Sequence, residues 1–177
     1  MDDLYIKRYY FLFSQYKEEL ILGYKIRVSS RAIIIKDDKI LLNNFGDGLY
    51  FNFPGGGIEE NETALEAVVR EVLEETGYDV KVESHVFTFE YEPSHCNSFE
   101  GDMHHISIFF RCKVLNDNIL KPTIVDTDPN DLPVKTEWVQ ISELDNIQLV
   151  PMTIKNSLKN YIKTGIFNPS FFEQFNY

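Results

Sequence analysis

The chain is short of the residues that would place it outside the ordinary globular class. It has 2 cysteines in 177 residues, which excludes a disulfide framework. No apolar run approaches the ~20 residues needed to span a bilayer, so no membrane partner is expected. Basic residues are few: 17 Lys and Arg stand against 28 Asp and Glu, a formal charge of −11. That balance argues against a nucleic-acid polymer as partner, because such binding needs a basic surface. Met1-Asp2-Asp3 is acidic where a secretory leader is basic, and a cytoplasmic setting with reduced thiols is expected. An acidic protein still binds phosphate when a metal supplies positive charge locally.

What is present suits one domain with its own core. No repeat, low-complexity tract or linker interrupts residues 1–177, read here as a single domain. Residues 1–22 are an aromatic-rich extension of ambiguous period. Strand signals begin near Lys25: Arg31-Ala32-Ile33-Ile34-Ile35, a turn at Asp37-Asp38, then Ile40-Leu41-Leu42. Phe51 and Phe53 flank Asn52 and lead into Pro54-Gly55-Gly56-Gly57. Further strands are expected around 81–89, 106–114 and 137–141, and a second helix from about Pro151 to Thr164. Strands and helices do not alternate regularly, which points to an α+β fold with a mixed sheet. Residues 165–177 form an aromatic tail, packed on the core or on a second copy, so monomer and homodimer both stay open.

Thr63 and Glu66 have the spacing of a capping box, and Gly77 stands where a left-handed helix cap is favoured. A helix is expected over 64–76. Leu65, Val68, Val69, Val72 and Thr76 share one face. Glu71, Glu74 and Glu75 fall within an arc of about 100° on the other, with Ala64 and Ala67 leaving space before them. Like charges at this spacing destabilise a helix by a few tenths of a kcal/mol per pair. They also lie toward the end where the helix dipole disfavours negative charge. A divalent cation relieves both, since hard cations favour carboxylate oxygens.

Gly56, Glu62, Arg70, Glu71, Val72, Glu74, Glu75, Gly77 and Tyr78 follow the pattern G-x5-E-x7-R-E-U-x-E-E-x-G-U, with U apolar. This resembles the Nudix box. At ~7% usage per fixed residue, a chance match is on the order of one in a million. Phe51-x-Phe-Pro-Gly-Gly before it and Trp138-Val-x-x-x-Glu-Leu after it extend the likeness over residues 26–145. Tyr78 departs from it, where an aliphatic residue is usual. The resemblance implies an α/β/α sandwich and a hydrolase acting on a small nucleotide through Mg²⁺, with Mn²⁺ as an alternative. Glu74 and Glu75 are then the main metal ligands, Glu71 a further ligand or an activator of water, and the Gly55 carbonyl completes the shell. Arg70 holds Glu71; Glu62 and Gly56 support the ligands from behind. Glu90, Glu92, Glu100 and Asp102 are candidates for a base or ligand outside the box.

Arg31, Phe51, Glu92 and Pro93 are the candidate substrate contacts. Pro93 lies fifteen residues beyond the box, a feature of family members that cleave ADP-ribose. ADP-ribose or a related nucleoside diphosphate sugar is therefore the expected substrate. The alternatives are a nucleoside triphosphate of the 8-oxo-dGTP type, and a binding module that keeps the fold without catalysis. Two other patterns are set aside. Asp126-x-Asp128-x-Asn130 lacks the glycine that a calcium loop needs at its sixth position, occupied here by Asp131. His95, Cys96, His104, His105 and Cys112 match no zinc spacing.

Overall fold

A computed structural model of the chain describes residues 25–93, 103–115, 132–168 and the backbone of 171–173. The extension 1–22, the calcium-like loop, His95, Cys96, Glu100, Asp102 and most of the tail lie outside them.

The strands are β1 (Ile26–Lys36), β2 (Lys39–Phe45), β3 (Tyr50–Asn52), β4 (Gly55–Gly57), β5 (Val80–Tyr91), β6 (His104–Val114), β7 (Val134–Gln140) and β8 (Phe171–Glu173). The helices are α1 (Ala64–Thr76) and α2 (Lys155–Thr164). The strands form one mixed sheet in the order β3-β2-β1-β6-β5-β8, with β4 paired to β1 and β7 to β2. β1 runs parallel to β6 and antiparallel to β4.

Both faces of the sheet are covered, which is why residues 32–35 of β1 are a continuous apolar run rather than an alternating one. Ala32, Ile34, Leu41, Phe110 and Cys112 pack with Val68 and Val72 of α1 on one side. Ile33, Leu42, Phe87, Phe109, Leu158 of α2 and Phe167 form the core on the other. This is the expected α/β/α sandwich. Asp37 and Asp38 both take positive φ (49° and 58°), as the two-residue turn joining twisted strands requires.

α1 has the expected limits. Thr63 accepts the Glu66 N–H while the Glu66 carboxylate accepts the Thr63 N–H, and Gly77 closes the end at φ 73°. Its buried face is rotated from the expected one. Leu65 is 52% exposed and Ala67 is fully buried. The reason is β4, which packs against α1 beside β1: Ala67 on the acid side is covered rather than left open, while Ala64 stays partly exposed. The C-terminal helix begins at Lys155 and not at Pro151, with a 3-10 turn at Met152–Ile154 before it. Tyr78, the departure from the family pattern, finds a partner that an aliphatic residue lacks. Trp138 Nε1 donates to its hydroxyl at 3.0 Å, with the rings edge-to-face.

Candidate active site

β4 places three glycines across from the acidic arc of α1. Gly55 is opposite Arg31, Gly56 opposite Ser30 and Gly57 opposite Ser29 in the β1–β4 register. Gly55 sits at φ 137°, and a Cβ there would lie within 3.0 Å of Ser30 and Arg31 backbone atoms. A Cβ on Gly56 would instead lie within 3.0 Å of the Glu71 carboxylate. The three glycines thus form a strand drawn close to the acids, and only glycine permits that approach.

Arg70 organises three of the acids. Its Nε and Nη2 donate to both oxygens of Glu62 (2.7 and 2.9 Å), and its Nη1 donates to Glu71 and Glu74, each at 3.0 Å. Nη2 also donates to the Gly57 carbonyl at 3.1 Å. The paired hydrogen bonds from Arg70, with the Glu59 N–H, draw the Glu62 carboxyl down to about 2. Glu71 shifts the other way: burial raises its pKa against the pull of Arg70. Its negative charge is therefore only partly compensated by the protein, despite the guanidinium beside it.

The depressed Glu62 carboxyl predicts an acid-sensitive clasp. Its contribution is complete above the ordinary value of 4.5 and is lost as pH falls toward about 2. Thermal melts of the wild type and Glu62→Gln should differ at pH 6 and converge only as pH falls through about 2. The difference should be small, because the carboxylate meets solvent. A constant gap across that range would remove Glu62 as the titrating partner.

Glu75 is held from elsewhere. Its Oε2 accepts from the Gly55 N–H at 2.9 Å and from Asn43 Nδ2 at 2.8 Å. Asn43 is 2% exposed and takes a hydrogen bond from Thr136 Oγ1 at 2.7 Å. Neither Asn43 nor Thr136 was singled out from the sequence, although they face each other across β2 and β7. Outer partners of this kind commonly set ligand affinity by 10- to 100-fold. Asn43→Ala should weaken Mn²⁺ binding by about tenfold or more, read by calorimetric titration. Affinity equal to wild type would make the pair a packing feature only.

The donor chemistry fits a hard divalent cation. Glu71, Glu74 and Glu75 bring carboxylate oxygens from one arc of α1, and β4 meets them through the Gly55 N–H at Glu75 and the close approach of Gly56 to Glu71. Glu71 carries the partly uncompensated charge that a cation would satisfy. In this structure Arg70 gathers two of these acids and the Gly55 amide takes the third. Among the described residues no three His, Cys, Asp or Glu side chains converge as a ready cage. The Gly55 carbonyl accepts from Arg31 Nη1 at 3.2 Å, and the same nitrogen donates to the Phe53 carbonyl at 2.9 Å.

The remaining predicted residues divide. Arg31 is at the site, bound to the glycine strand. Phe51 is not: it is 7% exposed within the α2-side core, and its backbone is tied to Gln148 and Val150. It is removed from the substrate contacts. Glu92 and Pro93 follow directly on the end of β5, where Tyr91 pairs with His105. Glu90 pairs with His104 at 2.7 Å. Cys112 is fully buried, and that burial pushes its thiol up to about 12, which disfavours the thiolate that zinc requires.

Comparison with known proteins agrees with this geometry. The NUDIX domain model matches residues 25–161. An ADP-ribose pyrophosphatase from Methanocaldococcus jannaschii is 52% identical over 61 residues, 32% of this chain and 36% of that protein. Nudix hydrolase 10 from Arabidopsis thaliana is 29% identical over 137 residues, 77% of this chain and 43% of that protein. The chain therefore spans well under half the length of these two relatives. A solved NUDIX hydrolase from Nitrosomonas europaea shares the fold at a TM-score of 0.61 and 24% identity, covering 78% of this chain and 90% of its own. With the family model matched over most of the chain and the box residues assembled around one glycine strand, this chain belongs to the NUDIX domain family.

Proposed function

We propose that this protein is a metal-dependent pyrophosphohydrolase that cleaves the diphosphate linkage of a nucleoside diphosphate derivative, with ADP-ribose or a related nucleoside diphosphate sugar as its substrate and Mg²⁺ as its cation. The observation that carries the reading is the glycine strand β4, lined on one side by Glu71 and Glu74 around Arg70 and fixed at Gly55 by Glu75. A bound divalent cation supplies charge for phosphate oxygens and lowers the pKa of water. The protein's own part is to hold oxygen donors in place and to keep the strand open to the substrate. Arg70 prevents the acids from splaying apart, and Asn43 and Gly55 fix the direction of Glu75. Glu71, half-buried, is the carboxylate best placed to take a proton, because burial favours its neutral form.

The substrate rests on two supports. One is Pro93, which follows the end of β5 at the sheet end that carries Arg27 and His105. The other is the similarity of the box region to the archaeal ADP-ribose pyrophosphatase. Among the described residues no helix is long and apolar enough to cross a membrane, and a cytoplasmic nucleotide pool is part of the same reading.

Product identification tests it. ADP-ribose with Mg²⁺ should yield AMP and ribose 5-phosphate. A kcat/KM for 8-oxo-dGTP a hundredfold above that for ADP-ribose, with pyrophosphate released, would transfer the assignment to the triphosphate reading. Tight nucleotide binding without products would make the chain a binding module.

A further inference from the structure

The glycine strand has a second side. Gly56 faces Glu71, whereas a Cβ on Gly57 would sit 3.8 and 3.9 Å from Arg27 Nη2 and Nε. Alternation along β1 puts Arg27, Ser29 and Arg31 on the α2 side of the sheet, with Ile33 in that core. Arg31 grips the carbonyls of Phe53 and Gly55 from this side. The guanidinium of Arg27 therefore passes over Gly57 while the acids approach Gly56 from the other face. Between them stands only glycine backbone. Among the described residues β4 pairs with β1 alone, so no strand covers its outer edge.

We propose that Arg27 is a phosphate-binding residue, receiving the phosphate of a diphosphate substrate that lies on the far side of β4 from Glu71. The inference rests on the function proposed above and adds a subsite to it. A diphosphate laid along the uncovered edge of β4 presents one phosphate to the carboxylate side and the other to Arg27. Successive strand residues face opposite sides, so neighbouring phosphates meet opposite chemistry at neighbouring glycines. A guanidinium suits this task through its planar set of donors.

Two further observations support the subsite. Arg27 is exposed, and among the described residues it has no salt bridge or hydrogen-bonded acceptor, in a chain of net charge −11. It also contributes to a local positive field. His105, its direct partner across β1 and β6, is held down to about 4, first by burial and then by the charges of Arg27 and Arg31. The imidazole is thus neutral at physiological pH, and the two guanidiniums supply the cationic charge at this end of the sheet. The same end carries Tyr91, paired with His105, and the chain continues from it into Glu92 and Pro93. A hydrogen-bonded pair, Ser29 Oγ and Ser107 Oγ at 2.9 Å, lies between Arg27 and Arg31 on the same face.

The test uses the full chain and magnesium pyrophosphate, the anion shared by all the candidate substrates. Calorimetric affinity is compared for wild type, Arg27→Ala and Arg27→Lys, alongside steady-state hydrolysis of ADP-ribose. Arg27→Ala should weaken pyrophosphate binding about tenfold or more, the scale of a lost charge-assisted hydrogen bond. Arg27→Lys should recover part of the loss, and the dependence of binding on salt should be shallower in Arg27→Ala. In turnover, KM should rise by more than kcat falls, as for a contact made equally to substrate and transition state. Should Arg27→Ala lower the melting temperature, Arg27→Gln, which keeps most of the stem, replaces it in the comparison. Affinity within twofold of wild type overturns the subsite, as does a wild type that binds no pyrophosphate. Pyrophosphate held through Arg27 by a protein that leaves ADP-ribose intact would uphold the subsite and overturn the substrate.

Discussion

Glu74→Gln and Glu75→Gln should each lower kcat by about 10³-fold while leaving the melting temperature within a few degrees of wild type. The two results belong together because glutamine can keep the hydrogen bonds of these side chains to Gly55, Asn43 and Arg70. Glu75 uses a single oxygen, Oε2, for both the Gly55 N–H and Asn43 Nδ2. A glutamine carbonyl oxygen placed there accepts both bonds, with its amide nitrogen where Oε1 was. Glu74 likewise needs one oxygen for Arg70 Nη1. What the substitution removes is the negative charge and one oxygen donor, the properties on which a hard cation depends. Loss of rate without loss of fold therefore separates a ligand from a structural acid. Circular dichroism and thermal melts establish the fold, Mn²⁺ titration reads the affinity, and ADP-ribose turnover reads the rate. A variant with kcat within tenfold of wild type and unchanged Mn²⁺ affinity would remove that glutamate from the proposed ligand set.

The parts of this site that could be read in the sequence are those whose physics is local. The limits of α1 followed from Thr63, Glu66 and Gly77, because caps act within a turn of the helix. The clustering of Glu71, Glu74 and Glu75 followed from the helical rotation alone. The partners of Arg70 are close in the chain as well: Glu62, Glu71 and Glu74 lie within eight residues of it. Asn43 and Thr136 were hidden because their meeting depends on the register of β2 against β7, ninety-three residues apart. Nothing near either residue marks it as a support for Glu75. The misreadings have a common cause in layering. Phe51 and Phe53 stand two apart and so face one side, and both lie in the α2-side core; in a sheet covered on both faces a shared face does not by itself separate core from site. Ala67 is buried rather than open because β4 packs against α1, and a run of three glycines carries no strand signal of its own.

Gly55 and Gly56 are adjacent, and replacing each by alanine should disable the protein in a different way. At Gly56 the new methyl meets the Glu71 carboxylate, the end of a side chain that can rotate. The backbone of Gly56 has no positive φ, so alanine is not strained there. Gly56→Ala should therefore fold, with stability within about 1 kcal/mol of wild type, and displace Glu71 from its place between Arg70 and β4. Turnover should fall about 10²-fold or more, the effect of moving a catalytic group by about an ångström. At Gly55 the methyl meets Ser30 and Arg31 backbone atoms, which belong to the central strand and have no rotamer to escape into. Its φ of 137° adds strain for any L side chain. The N–H and carbonyl of the same residue hold Glu75 and Arg31, so a shift of β4 breaks both. Gly55→Ala should lose several kcal/mol of stability and accumulate as unfolded or aggregated protein. The pair is decisive when measured side by side by denaturant unfolding and ADP-ribose turnover. If Gly56→Ala were the less stable of the two, or if it turned over substrate like wild type, the close approach of β4 to Glu71 could not be the reason for glycine at that position.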